Sequence, residues 1–265
     1  MMNELSDWKH ELEQLLSTNN ATVGICFYDL DRHKGFSLNG QQKILSASMI
    51  KLVILTELMF RVSKQEISLS DSICIKHSMK TGGDGILKEL QNEHSFSLLE
   101  IATLMIIVSD NEATNILINL LGMDAINKRA SAMNLTQTSL NRKMMDSESV
   151  KKGMDNYTCA DDIASIFHKI YEGTLINRQF SNIMLELLQK QQQGERLQRY
   201  LPEDIKIAHK CGDLNHIEHD GGILFLPNTT YILIVLTSGV SSALEGKRLI
   251  GKISHFFYQK MEELL

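Results

Sequence analysis

Proline is nearly missing from this chain: two residues in 265, where an average composition gives about 5%. Four cysteines, far apart in sequence, are too few for a disulfide framework. The formal net charge is only −5, so no basic surplus draws the chain to nucleic acid or to an anionic membrane. No apolar run reaches the ~18 residues that span a bilayer; the longest, Leu98 to Val108, is interrupted by Glu100 and Thr103. The first ten residues hold no basic stretch followed by an apolar one, so they do not form a secretory signal. As the sequence stands the expectation is a cytoplasmic, soluble monomer, or an extracytoplasmic one if a leader precedes it in the gene. No Cys/His cluster completes a metal site, and His216 and His219 read as residues of a solvated loop.

What is present is 43% hydrophobic and 22% charged, a globular composition. A chain of this length buries about 70–75% of its unfolded surface. At about 150 residues per domain, it is one large domain or two lobes.

Apolar spacing predicts a helix over Trp8–Leu16, a strand over Ala21–Leu30 and a short returning strand at Phe36 and Leu38. From Ala47 the pattern becomes apolar nearly all round, which marks a buried helix. Further helices are expected from Ser97 (capped with Glu100), over Glu112–Leu121 and Ala125–Met133, at Cys159–Glu172 and at Arg178–Gln192. Asn141–Asn156 reads as a long loop. Three strands, Ile205–Lys210, Gly222–Leu226 and Tyr231–Thr237, precede an amphipathic helix over Ser241–Leu265, with Gly221-Gly222 and Pro227-Asn228 as turns. The expected fold is α/β (α+β): a five-stranded antiparallel sheet flanked by N- and C-terminal helices, with an inserted all-helical lobe. The sheet lobe takes residues 1–46 and 195–265, the helical lobe 47–194, and the active site lies in the cleft between them.

Three short motifs carry chemistry. Ser48-Met49-Ile50-Lys51 is S-x-x-K at the start of the buried helix. A serine there ordinarily caps the helix. The same geometry brings Lys51 within reach of Ser48, and burial favours the neutral lysine that can take a serine proton. Two other S-x-x-K matches, Ser6–Lys9 and Ser149–Lys152, lie on polar stretches and read as chance. Ser109-Asp110-Asn111 falls between two apolar helices, with Asp110 expected to bind the N–H groups of the turn. His209-Lys210-Cys211-Gly212 closes a predicted strand; Gly212 indicates close approach to the backbone. Thr81–Gly85 lacks the flanking strand and Lys-Ser/Thr ending of a phosphate loop.

S-x-x-K, S-D-N and K-x-G in this order resemble the class A β-lactamases and penicillin-binding proteins. The chain resembles the class A β-lactamase-like serine hydrolases over nearly its whole length. The resemblance implies Ser48 as acylated nucleophile, Lys51 as its proton partner, and Ser109 with Lys210 as a proton path to the leaving nitrogen. It implies Asn111, Cys211, Gly212 and Asp213 around the substrate, with the N–H groups of Ser48 and Asp213 as oxyanion hole, and no cofactor or metal. The substrate would be a small molecule or peptide-like: a β-lactam-like amide, or a D-amino-acid peptide or ester handled by the same machinery. Two positions depart from the family pattern. Met144 stands where the loop Glu that activates the deacylating water is expected, leaving Asp146 and Glu148 as substitutes and slow deacylation or a penicillin-binding sensor as consequences. Cys211 stands where Ser or Thr is usual, which weakens the grip on a substrate carboxylate.

Overall fold

The computed structural model describes residues 2–17, 19–76, 80–91 and 93–264. Helix α1 (Met2–Leu16) leads into strands β1 (Thr22–Asp29) and β2 (Lys34–Leu38). The chain returns to the same sheet only at β7 (Lys206–Leu214), β8 (Ile217–Phe225) and β9 (Thr230–Ser238), followed by α9 (Ala243–Glu262). The five strands are antiparallel in the order β2-β1-β9-β8-β7, so β7 is an edge strand. Between the two halves run β3 (Ile44–Leu45), α2 (Lys51–Ser63), β4 (Ser72–Ile75), β5 (His94–Ser97), α3 (Leu98–Ile107), α4 (Asn111–Leu121) and α5 (Met123–Ala132). They are followed by α6 (Ser147–Lys151), β6 (Tyr157–Thr158), α7 (Ala160–Glu172) and α8 (Arg178–Leu188).

The period-2 pattern of β9 shows how two cores share one sheet. Tyr231, Leu233 and Val235 face a core completed by Trp8, Leu12, Phe257 and Met261 of the terminal helices. Ile232, Ile234 and Leu236 face the opposite way, into a core built with α7 and the other inserted helices. Successive side chains of a strand point to opposite faces, and a strand covered on both faces is apolar throughout. The same alternation sends Ala208 of β7 to the helical side and Ile207 to the other. Lys210 shares the parity of Ala208, so strand geometry aims it at the inserted helices.

Several expectations need correction. Gly221 and Gly222 do not turn the chain; they lie inside β8, paired with Lys210 and His209 of β7. The turn is Asn215-His216, with His216 at φ 60°. A Cβ on Gly221 would lie 2.7 Å from Ile234 Cδ1, so this glycine marks close packing within the sheet. Lys210 therefore sits in mid-strand. His219 is buried in β8, where the sequence suggested a solvated loop. Residues 141–156 contain the short helix α6, capped by the Asp146 carboxylate on Ser149 N. The β4–β5 hairpin has no counterpart in the sequence reading, and α8 ends at Leu188, short of Gln192. The capping box of Ser97 and Glu100 is present as expected. Among the described residues no helix is long and apolar enough to cross a membrane.

Candidate active site

Ser48 stands in a 3-10 turn, Ala47–Ile50, directly before α2. It does not cap that helix: neither helical segment there carries a side-chain cap bond. In 3-10 geometry residues i and i+3 eclipse, so Ser48 lies above Lys51. The turn is held from several directions. Its entry strand β3 pairs with β6. Ser46 N donates to Asn156 O at 2.8 Å, and the Leu45 carbonyl contacts His219 Nε2 at 2.8 Å. Burial pushes the His219 pKa down to about 4, so the neutral ring donates one N–H there. On the far side β7 passes so close that a Cβ on Gly212 would lie 2.6 Å from Ser48 N. Glycine is required by that approach.

Beneath Ser48, Lys51 is fully buried, and its ammonium donates to Ser109 O (2.6 Å), Ser109 Oγ (2.9 Å) and Asn111 Oδ1 (3.1 Å). These contacts account for the three donors of an ammonium. Lys210, also fully buried, donates to the same Ser109 Oγ at 3.1 Å and to Cys211 O at 2.7 Å. One hydroxyl thus joins two lysines. Burial first, and the neighbouring Lys210 charge second, hold Lys51 well below the ordinary lysine pKa. Burial also lowers Lys210. A shared partner and a dry surrounding make the doubly charged pair costly, so one proton is readily given up.

The helix breaks that present these groups are locally strained. Ser109 has φ 57° and lets the chain turn from α3 into α4; Ala47, next to Ser48, has φ 44°. Left-handed geometry costs an L residue about 1–2 kcal/mol, and such strain concentrates at functional sites. Asp110 supports the first break: its carboxylate accepts from Ala113 N (2.9 Å), Ile86 N (2.7 Å) and Leu87 N (2.9 Å). Asn111 donates to Gly82 O at 3.3 Å, and its own N–H reaches Asp84 O at 3.0 Å. The Gly-Gly-Asp-Gly stretch, unsuited to phosphate, is thereby one wall of the site.

A cleft of about 360 Å³ opens over Ser48 and is lined on its other side by Arg142, Met144, Met145, Asp146, Asp155 and Asn156. This loop is cross-tied. Arg142 holds Asp155 through Nε (2.9 Å) and Nη2 (2.8 Å). Asn156 Oδ1 accepts from Asn141 N and Arg142 N. Asn115 grips the backbone of Met144 at both ends, accepting from its N–H (2.8 Å) and donating to its carbonyl (3.1 Å). Met144 lines the cleft while packing into the core of the inserted helices. Asp146 lines the cleft, yet both carboxylate oxygens are engaged by Ser149, N (3.0 Å) and Oγ (2.7 Å), which holds its pKa low. Glu148 is exposed, pairs with Lys151 at 2.7 Å, and is not among the described residues lining the cleft.

Ser48, Lys51, Ser109, Asn111, Lys210 and Gly212 therefore converge. Asp213 lines the cleft mouth, its carboxylate 2.8 Å from Arg196 Nη2. Cys211 is turned away: its buried thiol lies 2.9 Å from Gln193 Oε1, and burial raises its pKa. Sequence reasoning missed Asp84, Asn115, Arg196 and His219. Only Asp84 had a local signal, flanked by glycines just as a wall loop requires.

Known proteins give the arrangement a context. The beta-lactamase enzyme family matches over residues 7–261. The extended-spectrum beta-lactamase PER-1 of Pseudomonas aeruginosa is 21% identical, over 95% of this chain and 86% of that protein. The crystal structure of a beta-lactamase from Sphaerobacter thermophilus has TM-score 0.88 at 28% identity, covering 96% of each chain. The structure of PBP-A has TM-score 0.90 at 27% identity, covering 98% of this chain and 97% of that one; a variant of PBP-A forms an acyl-enzyme complex with penicillin G.

Proposed function

The chain belongs to the beta-lactamase enzyme family, a family of hydrolases of amide bonds, and on that premise we propose that it is a serine hydrolase whose acyl-enzyme forms on Ser48 and is released slowly. The observation that carries the reading is the hydrogen-bonded line from Lys51 through Ser109 Oγ to Lys210 directly beneath the serine turn.

The chemistry follows from that line. Neutral Lys51 takes the Ser48 proton as Oγ attacks the carbonyl carbon. The oxyanion is received by the N–H groups of Ser48 and of Asp213, the latter on an edge strand whose alternate N–H groups point away from the sheet. The C–N bond breaks, the nitrogen takes a proton delivered by Ser109, and Lys210 and Lys51 restore the Ser109 hydroxyl. Asn111 positions the acyl amide from the opposite wall. Water then cleaves the Ser48 ester to a carboxylic acid and regenerates the hydroxyl. That second step needs a base, and the loop supports its slowness: Met144 cannot accept a proton, and Asp146 and Glu148 are engaged elsewhere. Loss of a positioned base costs about 10²–10⁴ in rate.

Intact mass after incubation with excess penicillin G tests the reading. The expected result is a stoichiometric adduct, located at Ser48 by peptide mapping and absent from Ser48→Ala. No adduct with any amide or ester donor would remove the proposal.

A further inference from the structure

Two walls of the cleft meet through one side chain. Met145 belongs to the loop, yet its thioether lies against the opposite wall. A Cβ on Gly83 would lie 2.9 Å from Met145 Sδ, and one on Gly82 would lie 3.9 Å from Met145 Cε. The same point at Gly83 is 2.4 Å from Asn111 Nδ2. The thioether therefore ends beside the amide that, on the proposed reading, positions the acyl group. Both sides of this contact are anchored. Asn111 Nδ2 donates to Gly82 O at 3.3 Å, and Lys88 Nζ donates to Gly83 O. On the loop side Asn115 grips the Met144 backbone, and Met145 O accepts from Ser147 N at 3.0 Å. Met145 itself has φ 61°, a left-handed conformation that is costly for an L residue and concentrates at functional sites. The residue is 58% exposed, so burial in a core does not account for where its side chain points. Glycine at 82 and 83 leaves the space that the thioether occupies.

We propose that Met145 is a specificity-determining residue: its side chain bars the Asn111 end of the cleft and sets how bulky an acyl arm the site admits. The inference rests on Ser48 being the nucleophile and on Asn111 holding the acyl amide. An acyl group whose amide reaches Asn111 carries its arm into the space between the loop and Gly82-Gly83, where the thioether lies. An arm joined through a methylene can bend past an unbranched, rotatable methionine. An aryl ring joined directly to the acyl carbonyl and flanked by ortho groups has no such hinge and meets the thioether. A misfit of about one methylene is worth roughly 10–200-fold in specificity.

The test compares penicillin G, with a benzyl arm, and methicillin, with a 2,6-dimethoxyphenyl arm. The two share their fused ring system and carboxylate, so only the arm differs. The second-order rate of adduct formation is read by intact mass, with Ser48→Ala as background. The expected ratio of rates favours penicillin G. Met145→Ala should cut that ratio by about tenfold or more, through faster reaction of methicillin. Met145→Gly, which suits φ 61° better, should cut it as far. A ratio that neither variant changes, or that shrinks only because penicillin G slows, would overturn the inference and leave the nucleophile in place. No adduct from either penicillin on any of the three proteins would overturn acylation of Ser48, and the inference with it.

Discussion

Beneath the cleft floor the polar side chains are directed at one another: Lys51, Ser109, Asn111 and Lys210 form a continuous hydrogen-bonded set under Ser48. Across the cleft, in the loop over residues 141–156, polar side chains are directed at the loop itself. Asp155 is consumed by Arg142, Asp146 by Ser149, and Asn156 by the backbone of Asn141 and Arg142. Both regions are well ordered by hydrogen bonds, yet those of the floor link two buried lysines through one hydroxyl and those of the wall tie the loop to itself. On the proposed reading, forming an acyl-enzyme and destroying it are separable capacities of this fold, housed in different walls.

The sharpest way to break the comparison is to disable the floor. Lys51→Met should slow acylation of Ser48 by about 10²–10⁴, measured by rapid-quench mass spectrometry; a smaller effect would mean that another group takes the serine proton. The converse is to equip the wall. Met144→Glu places a carboxylate at a cleft-lining position whose backbone is already held by Asn115, and should speed adduct loss by about 10²-fold while leaving acylation within a few-fold. If adduct lifetime does not change, deacylation is limited by something other than the base.

Acidity separates the regions next. On the proposed reading Lys51 is the base, which requires it to be neutral, and burial holds its pKa well below the ordinary value of 10.5. Acylation should therefore rise with pH along a limb lying well under that value, while slow adduct loss lacks this limb. A limb near 10.5 would mean that Lys51 stays charged. The smallest effects are on stability. Removing Asn115 by Asn115→Ala leaves the Met144 backbone groups without partners, at a cost of about 1–3 kcal/mol, read as a lower urea midpoint. His219 adds a pH term: its folded pKa of about 4 is below the free value of 6.5, so the unfolded chain binds the extra proton first. Stability should fall as pH drops from 6.5 toward 4, and His219→Gln should flatten that slope.

Much of this was legible in the chain. The capping box at Ser97 and the strands of the sheet follow from local spacing, since helix and strand periods repeat within a few residues, while the S-x-x-K, S-D-N and K-C-G motifs were legible through their resemblance to a known family. What could not be read is long-range. Ser109 Oγ sits between two lysines that are 58 and 101 residues away in sequence, and nothing in S-D-N says that one hydroxyl serves both. Gly221-Gly222 reads as a turn because glycine permits turns; here it answers close packing within the sheet, against Ile234 at Gly221 and against the β7 backbone of Ala208 and His209 at Gly222. His219 reads as polar surface, yet it clamps Leu45 because the strand register carries it inward. Asp146 looked like a spare carboxylate until α6 claimed it as a cap.

The central claim is that one protein holds a complete floor and an unequipped wall. A single intact-mass time course with excess penicillin G, followed by its rapid removal, tests it directly. The account predicts an adduct on Ser48 that forms to stoichiometry and then persists for minutes or longer. Adduct that never accumulates while penicillin is steadily hydrolysed would contradict it, since the wall would then be activating water at least as fast as the floor acylates.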